Sequence, residues 1–410
     1  MKKIFNVLLL SFLIFSLNGF TQEIDSLVFK TDRLLEFGIK NEAYPGAQVL
    51  IFKNDTIRLN KTYGFQTYDS LVPIEKHHLY DLASVTKILA STLAFMKLYE
   101  LYNLNLDQKV ATYVPSLKRS NKKNSSLREV LSHSGGWEPY IAHQNLVFNK
   151  RGRFKTRTIS YKQNKKFPLQ ISDSLFIHKK YFKKIYRRIR KTKLNNLGEY
   201  RYSGLWFFLL PEITKQLSGS SFSEFLQTYF YTPLKTERLG FLPSKKYSKS
   251  EIVPTENDSI FRKQLVQGWV HDEAAAMMGG ISGNAGLFSN AASLKPLLQM
   301  LLQNGNYNGK QYLKPETIKK FTQRSYPNSN NRRGLGFDKP SIDPESNYPS
   351  LLASPSSYGH SGFTGTFIWV DPTNKCFLIF LSNRVYPSRN QRKLYSLDIR
   401  GKLLDYAIQF

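Results

Sequence analysis

Two strand–turn–strand patterns stand near opposite ends of this chain, and they constrain its fold more than anything between them. Residues 47–52 (AQVLIF) are an apolar run, Lys53-Asn54-Asp55 is a turn, and residues 56–63 follow as a partner strand. Near the other end, residues 367–370 (FIWV), 371–375 (DPTNK) and 376–381 (CFLIFL) repeat the arrangement. Short β-branched and aromatic runs bounded by Asn, Asp and Pro are hairpin signals. Helix-patterned segments lie between them, at about 84–102, 125–131, 205–217 and 294–303, with a last one at 394–408. The predicted fold is α+β: an antiparallel sheet built from N- and C-terminal segments, flanked by helices, with an inserted helical lobe. The cleft between sheet and lobe is the natural place for a site.

The chain has 410 residues, of which 41% are hydrophobic, enough for one large domain or two smaller ones. Residues 1–22 begin with Lys2 and Lys3, continue with a short apolar stretch and end in small residues, the layout of an export signal. The reading is therefore a signal peptide at 1–22 and a single domain at 23–410, periplasmic or secreted. Cys376 is the only cysteine. It cannot form an internal disulfide, and its apolar surroundings suit a buried strand position.

The formal charge is +29, and it is unevenly spread. Residues 150–193 hold 17 Lys or Arg against one acid, Asp173. This is the heart of a basic insert at about 143–197. Its segment 178–193 places Phe182, Ile185, Tyr186 and Ile189 on one helical face among cations. An exported protein of this kind meets anionic wall polymers, lipid head groups or peptide carboxylates rather than nucleic acid. Residues 325–357, rich in Pro, Ser and Asn, read as a long loop or flap.

Chemistry enters with Ser84-Val85-Thr86-Lys87. Positions i and i+3 share a helix face, so Lys87 can take a proton from Ser84, and a serine is a poor nucleophile without such a base. Three more elements join this pair: Tyr202-Ser203-Gly204 before a helix, His360-Ser361-Gly362 before a strand, and the turn Leu131-Ser132-His133-Ser134-Gly135-Gly136. His271 and Asp272 form a pair with no third ligand at usable spacing, so no metal is expected. No H-E-x-x-H, P-loop or G-x-S-x-G pattern occurs.

In this order the motifs resemble those of the serine β-lactamase and penicillin-binding protein superfamily, in its class C-like branch: S-x-x-K, then Y-x-N, then K-T-G or H-T-G. Residues 131–136 resemble its L-T-H-x-S-G turn, and 285–289 (AGLFS) its A-G-L-x-S-T loop. The resemblance covers about 47–408. It implies an acyl-enzyme on Ser84, Lys87 as base or proton relay, and Tyr202 as the group that serves the leaving group and later water. It implies an oxyanion hole from the backbone N–H groups of Ser84 and Phe363. Gly204, His360, Ser361 and Gly362 would line the substrate, with no cofactor needed. His133 would hold a turn by hydrogen bonds.

Two positions depart from the pattern. Gly204 stands where Asn or Asp is usual, removing a side chain that contacts the lysine and the substrate amide. His360 stands in place of a lysine. Imidazole is mostly neutral above about pH 6.5, so it anchors a free carboxylate weakly, and activity is expected to follow its titration. The expected function is exported serine hydrolysis of a wall-derived peptide amide or a small ester. The alternative is an impaired homologue that binds wall fragments without turnover, and the basic insert suggests contact with an anionic surface.

Overall fold

The computed structural model describes residues 23–410, so the N-terminal segment read as an export signal lies outside it. Five strands form the main sheet: β1 (Gly46–Lys53), β2 (Thr56–Gly64), β3 (Tyr358–Ser361), β4 (Phe367–Asp371) and β5 (Cys376–Ser382). Their order is β3-β4-β5-β1-β2, every neighbour antiparallel. The two terminal hairpins therefore do join in one sheet, through the pairing of β1 with β5 (Val49 opposite Phe380, Leu50 opposite Ile379).

The helices used below are α1 (residues 23–40), α2 (Leu93–Tyr102), α3 (Tyr181–Lys191), α4 (Leu210–Ser218), α5 (Ala291–Leu302) and α6 (Ile399–Gln409). Strand side chains alternate faces, and here each face has its own core. Val49, Ile51, Trp369, Leu378 and Phe380 meet Leu27 and Leu35 of α1 and Leu403 and Leu404 of α6. Leu50, Phe52, Ile368, Val370, Phe377 and Ile379 face the larger lobe with α2, α4 and α5. Helix α1 was not expected from the sequence. The predicted helix at 394–408 is broken, with a left-handed Asp398 between a short turn (Lys393–Ser396) and α6. Cys376 is buried in β5, and burial pushes its thiol up to about 12.

The basic segment is less helical than its charge pattern suggests. A small antiparallel sheet of Ile159–Ser160, Phe176–Ile177 and Leu169–Gln170 precedes α3. On α3 the fully buried stripe is Tyr181, Ile185 and Ile189, while Phe182 and Tyr186 are only partly covered. The long stretch 325–357 is not a free flap. Asp338 pairs by backbone with Gly359 of β3, and Leu335 and Phe337 enter the core.

Phe380 lies fully buried on β5, its ring 5.6 Å from that of Tyr44. Phe380→Ala should cost about 3–5 kcal/mol through lost burial and the cavity left behind. Urea unfolding measures this; a loss under about 1 kcal/mol would show that the α1/α6 face closes over the gap.

Candidate active site

The segment before α2 sets Ser84, the candidate nucleophile. Ala83–Val85 is a single tight turn, and Lys87–Thr92 continues as widened, π-type turns into α2. Ala83 has φ +45°, a left-handed conformation that costs a residue with a Cβ. Asp81 holds this bend: its Oδ1 accepts the Ala83 N–H at 2.8 Å and its Oδ2 the His271 N–H at 2.6 Å. Burial raises the Asp81 carboxyl above the usual carboxylate range, against the pull of these two bonds.

Lys87 is 3% exposed. Its Nζ lies 2.8 Å from Ser84 Oγ and 2.9 Å from the Asn284 carbonyl. No carboxylate pairs with it among the described residues, and the rings of Tyr202 and Phe207 lie 5.6 and 5.7 Å away. The Asn284 carbonyl reaches Lys87 because residue 283 is glycine. A Cβ there would stand 2.2 Å from the Phe207 carbonyl and 2.6 Å from Ser91 Oγ.

Opposite Ser84 is the turn that follows β3. The Phe363 N–H has no protein acceptor among the described residues. The Ser84 N–H sits in the first turn of its helix, where intrahelical partners are missing. These two donors are the pair expected to form an oxyanion hole. Thr364 Oγ1 donates to the Asp81 carbonyl at 2.7 Å and Thr366 Oγ1 to the Leu82 carbonyl at 3.0 Å, fastening the turn to the nucleophile bend. Arg384 donates to the Phe363 carbonyl, and Arg400 to those of Gly362 and Thr366. Gly362 is required, since a Cβ would lie 2.0 Å from Thr366 Oγ1.

Tyr202 is brought to the same place by the strip of chain leaving the basic segment. Arg201 N–H donates to the His133 carbonyl, and Ser203 N–H to His133 Nδ1 at 3.1 Å. His133 thus holds the turn, as its motif implies. The Tyr202 hydroxyl has no protein hydrogen-bond partner among the described residues, which leaves it open to a substrate or water. At Gly204 a side chain would meet only Lys87 Cε, at 3.9 Å, so the missing Asn leaves an unfilled space beside the lysine.

His360 differs from expectation. It is 3% exposed, with Nδ1 donating to the Ser361 carbonyl at 2.7 Å and Nε2 meeting Arg333 Nη2 at 3.2 Å. Burial first, then Arg333 and Lys87, push its pKa down to about 3. Both ring nitrogens are occupied inside the protein, so the imidazole is a neutral wall behind the cleft and not a titrating anchor. Ser361 remains partly exposed at the end of β3. His271 does not pair with Asp272. Its Nε2 is 2.8 Å from Glu256 Oε2, its ring stacks 5.7 Å from Phe363, and Asp272 caps the helix after it.

Sequence reasoning missed Asp81, Arg333, Arg384 and Arg400. None belongs to a motif, and each has at least one partner distant in the chain. Arg332-Arg333 directly before Gly334-Leu335-Gly336-Phe337 was the one local sign, a charged pair abutting a glycine-bearing apolar run.

The His360 shift carries a sign. In the fold it stays neutral down to about pH 3, whereas unfolded it takes a proton below about 6.5. Stability should therefore fall as pH drops from about 6.5 toward 3, and kcat/KM should show no His360 inflection between pH 5 and 8. Profiles of the wild type and His360→Gln check this; a limb near 6.5 present only in the wild type would overturn it.

Comparison with known proteins agrees with this geometry. The family model described as "Beta-lactamase" matches residues 31–400. A protein of Escherichia coli (strain K12) named "Putative D-alanyl-D-alanine carboxypeptidase" is 30% identical over 368 residues, covering 83% of this chain and 79% of its own length. One of the same name from Salmonella schwarzengrund (strain CVM19633) is 27% identical, covering 95% and 94%. Among solved structures, the hydrolase EstCE1 aligns with TM-score 0.66 at 17% identity over 94% of this chain and 99% of that one. A penicillin-binding protein homologue from Pyrococcus abyssi aligns with TM-score 0.65 at 21% identity over 90% and 76%.

Proposed function

Because the chain belongs to the beta-lactamase family of serine hydrolases, we propose that it is an exported enzyme that cleaves an amide or ester of a cell-wall-derived peptide, or a small ester, through an acyl-enzyme on Ser84. The observation that carries this reading is the 2.8 Å contact of Lys87 Nζ with Ser84 Oγ in a site where no carboxylate competes for the amine. Ser84 Oγ attacks the acyl carbon while Lys87 takes its proton. The carbonyl oxygen, now negative, is received by the N–H groups of Ser84 and Phe363, donors commonly worth about 3–4 kcal/mol each. Tyr202, its hydroxyl uncommitted, gives a proton to the departing group as the old bond breaks. Water then attacks the Ser84 ester and gives its proton to the Tyr202 oxygen, and as the ester bond breaks Lys87 returns to Ser84 the proton it took.

The carboxypeptidase names of the relatives support a wall peptide as substrate. The buried, neutral His360 favours acyl donors that do not depend on a cation at the third motif. Gly204 favours a second reading, a homologue that holds wall fragments without turning them over.

The basic segment supports contact with an anionic surface. None of its lysines and arginines between residues 150 and 193 pairs with a carboxylate of the described residues. On α3, Lys183, Lys184, Arg187 and Lys191 are exposed while the apolar stripe is buried against the body. Such contact is electrostatic, without insertion of the helix into a bilayer. No helix of the described residues is long and apolar enough to cross a membrane.

Intact-mass spectrometry after incubation with a fluorophosphonate, a simple ester or a muropeptide should show one adduct, absent in Ser84→Ala; equal labelling of both proteins would sink the acyl-enzyme. Gly204→Asn should fold and raise amide over ester turnover if the enzyme is competent. Retained muropeptide binding with no adduct would instead support the second reading. For the surface, Lys183→Glu/Arg187→Glu should weaken binding to vesicles containing phosphatidylglycerol and flatten its salt dependence, with ester hydrolysis unchanged. Binding that ignores both salt and charge reversal would refute the electrostatic contact.

A further inference from the structure

A guanidinium is buried directly behind the groups that line the Tyr202 side of the site. Arg333 is 1% exposed and belongs to no motif. Its Nη1 lies 2.9 Å from Asp338 Oδ2, its Nη2 lies 3.2 Å from His360 Nε2, and its Cζ sits 5.4 Å from the centre of the Tyr202 ring. The same Nη2 is 3.1 Å from His133 Nε2. The backbone places the residue firmly: Asn331 Oδ1 accepts the Arg333 N–H, and Asn331 Nδ2 donates to the Ser132 carbonyl, tying it to the 131–136 turn.

Hydrogen-bond bookkeeping fixes the proton positions. His360 Nδ1 faces a carbonyl and must carry a proton, so its Nε2 is the acceptor that Arg333 fills. His133 accepts the Ser203 N–H on Nδ1. Its own proton is then on Nε2, and the bond that Arg333 can complete is the one to His360. Charge adds a second constraint. Asp338 is shared by Arg333 and Arg332, with the Tyr348 hydroxyl donating to it as well. Two guanidiniums against one carboxylate leave a net positive charge. Among the described residues Lys87 is the other cation facing His360, and Asp338 the carboxylate near it.

We propose that Arg333 is a positioning residue of this site: it locks His360 as the neutral Nδ1–H tautomer and supplies, from one layer behind the cleft, the positive charge that the third motif lacks on its own side chain. The imidazole then acts as a rigid spacer beside the Tyr202 ring, 5.9 Å between ring centres. The charge behind it favours transition states in which negative charge develops on the Tyr202 oxygen or on the acyl group. This inference rests on the reading of Ser84, Lys87 and Tyr202 as an acyl-transfer site.

Nitrogen-15 NMR of the full chain labelled at histidine reads the tautomer without reference to activity. In the wild type, His360 should show a single Nδ1–H form unchanged from pH 5 to 8. A wild-type His360 that is Nε2–H, or that titrates near 6.5, overturns the proposal at once. In Arg333→Met, His360 should give mixed tautomers or begin to titrate. On a p-nitrophenyl ester, kcat should fall about 10- to 100-fold, the scale of a misplaced catalytic group, with KM changed much less. Arg333→Lys, which keeps the charge but cannot span Asp338 and His360, should recover part of kcat. Arg333→Met leaves Asp338 short of a partner, so Arg333→Met/Asp338→Asn, which removes the buried pair together, guards against loss of folding. An unchanged His360 spectrum and kcat within about twofold in either folded variant would refute the proposal. Failure of fluorophosphonate to label wild-type Ser84 would instead count against the site assignment, and the histidine spectra would still decide the role of Arg333.

Discussion

Antiparallel pairing of β1 with β5 joins residues 47–53 to residues 376–382 along seven consecutive positions, and the site exists only because this long-range ladder forms. It fixes β3 and β4 relative to the start of the chain. The turn between those strands then meets the bend ahead of Ser84. There, Thr364 and Thr366 donate to the carbonyls of Asp81 and Leu82, across more than 280 residues of sequence. The backbone N–H groups of Ser84 and Phe363 come from opposite sides of that junction. A strained Ala83 can persist because Asp81 and the two threonines over-determine its neighbours.

Electrostatics around the nucleophile follow a single pattern. Lys87 touches a hydroxyl and a carbonyl but, among the described residues, no carboxylate. The imidazoles of His133 and His360 are driven below their ordinary range, by burial first and by Arg333 next. Farther back, Arg384 and Arg400 grip the carbonyls of the oxyanion turn. The carboxylates of Asp338, Glu256 and Glu273 are each occupied by an arginine, and that of Asp81, at the bend before Ser84, is held by two backbone N–H groups. Such a region is preset for negative charge on a reacting oxygen, and the arrangement costs no reorganisation when that charge appears.

Much of this was legible in the sequence, for physical reasons that differ by element. The terminal hairpins could be read because β-branched and aromatic runs flank short Asn/Asp turns, and pairing them in one sheet is the way both bury an apolar face. Ser84 and Lys87 could be read because i and i+3 spacing survives a change from α to tighter and wider turns. Helix α1 was hidden: Leu27, Leu34 and Leu35 share their stripe with Thr31, and the segment carries no motif. The 325–357 stretch looked like a flap because Pro, Ser and Asn are loop residues, yet it delivers Arg333 and Asp338 to the interior. Composition describes how a segment bends, and it does not say whether tertiary closure will bury a charged residue within it. His360 could be located but its protonation could not, since that depends on a neighbour 27 positions earlier.

The two departures from the family pattern bear on each other. An asparagine at position 204 would contact both the lysine and a substrate amide, and a lysine at position 360 would offer a charge to a substrate carboxylate. Without them the cleft wall lacks those two polar contacts, while Ser84, Lys87, Tyr202 and the N–H groups of Ser84 and Phe363 are in place. The positive charge is retained, though, on Arg333, where burial puts it beyond direct contact with a ligand. A charge in that position acts on the transition state by field and does little to select the ground-state substrate by a salt bridge. Discrimination then falls to the backbone of the β3 edge, to Ser361, and to the space beside Gly204. Backbone groups and space sort acyl donors by shape and by peptide-like hydrogen bonding, and they hold a terminal carboxylate less firmly than a lysine side chain would.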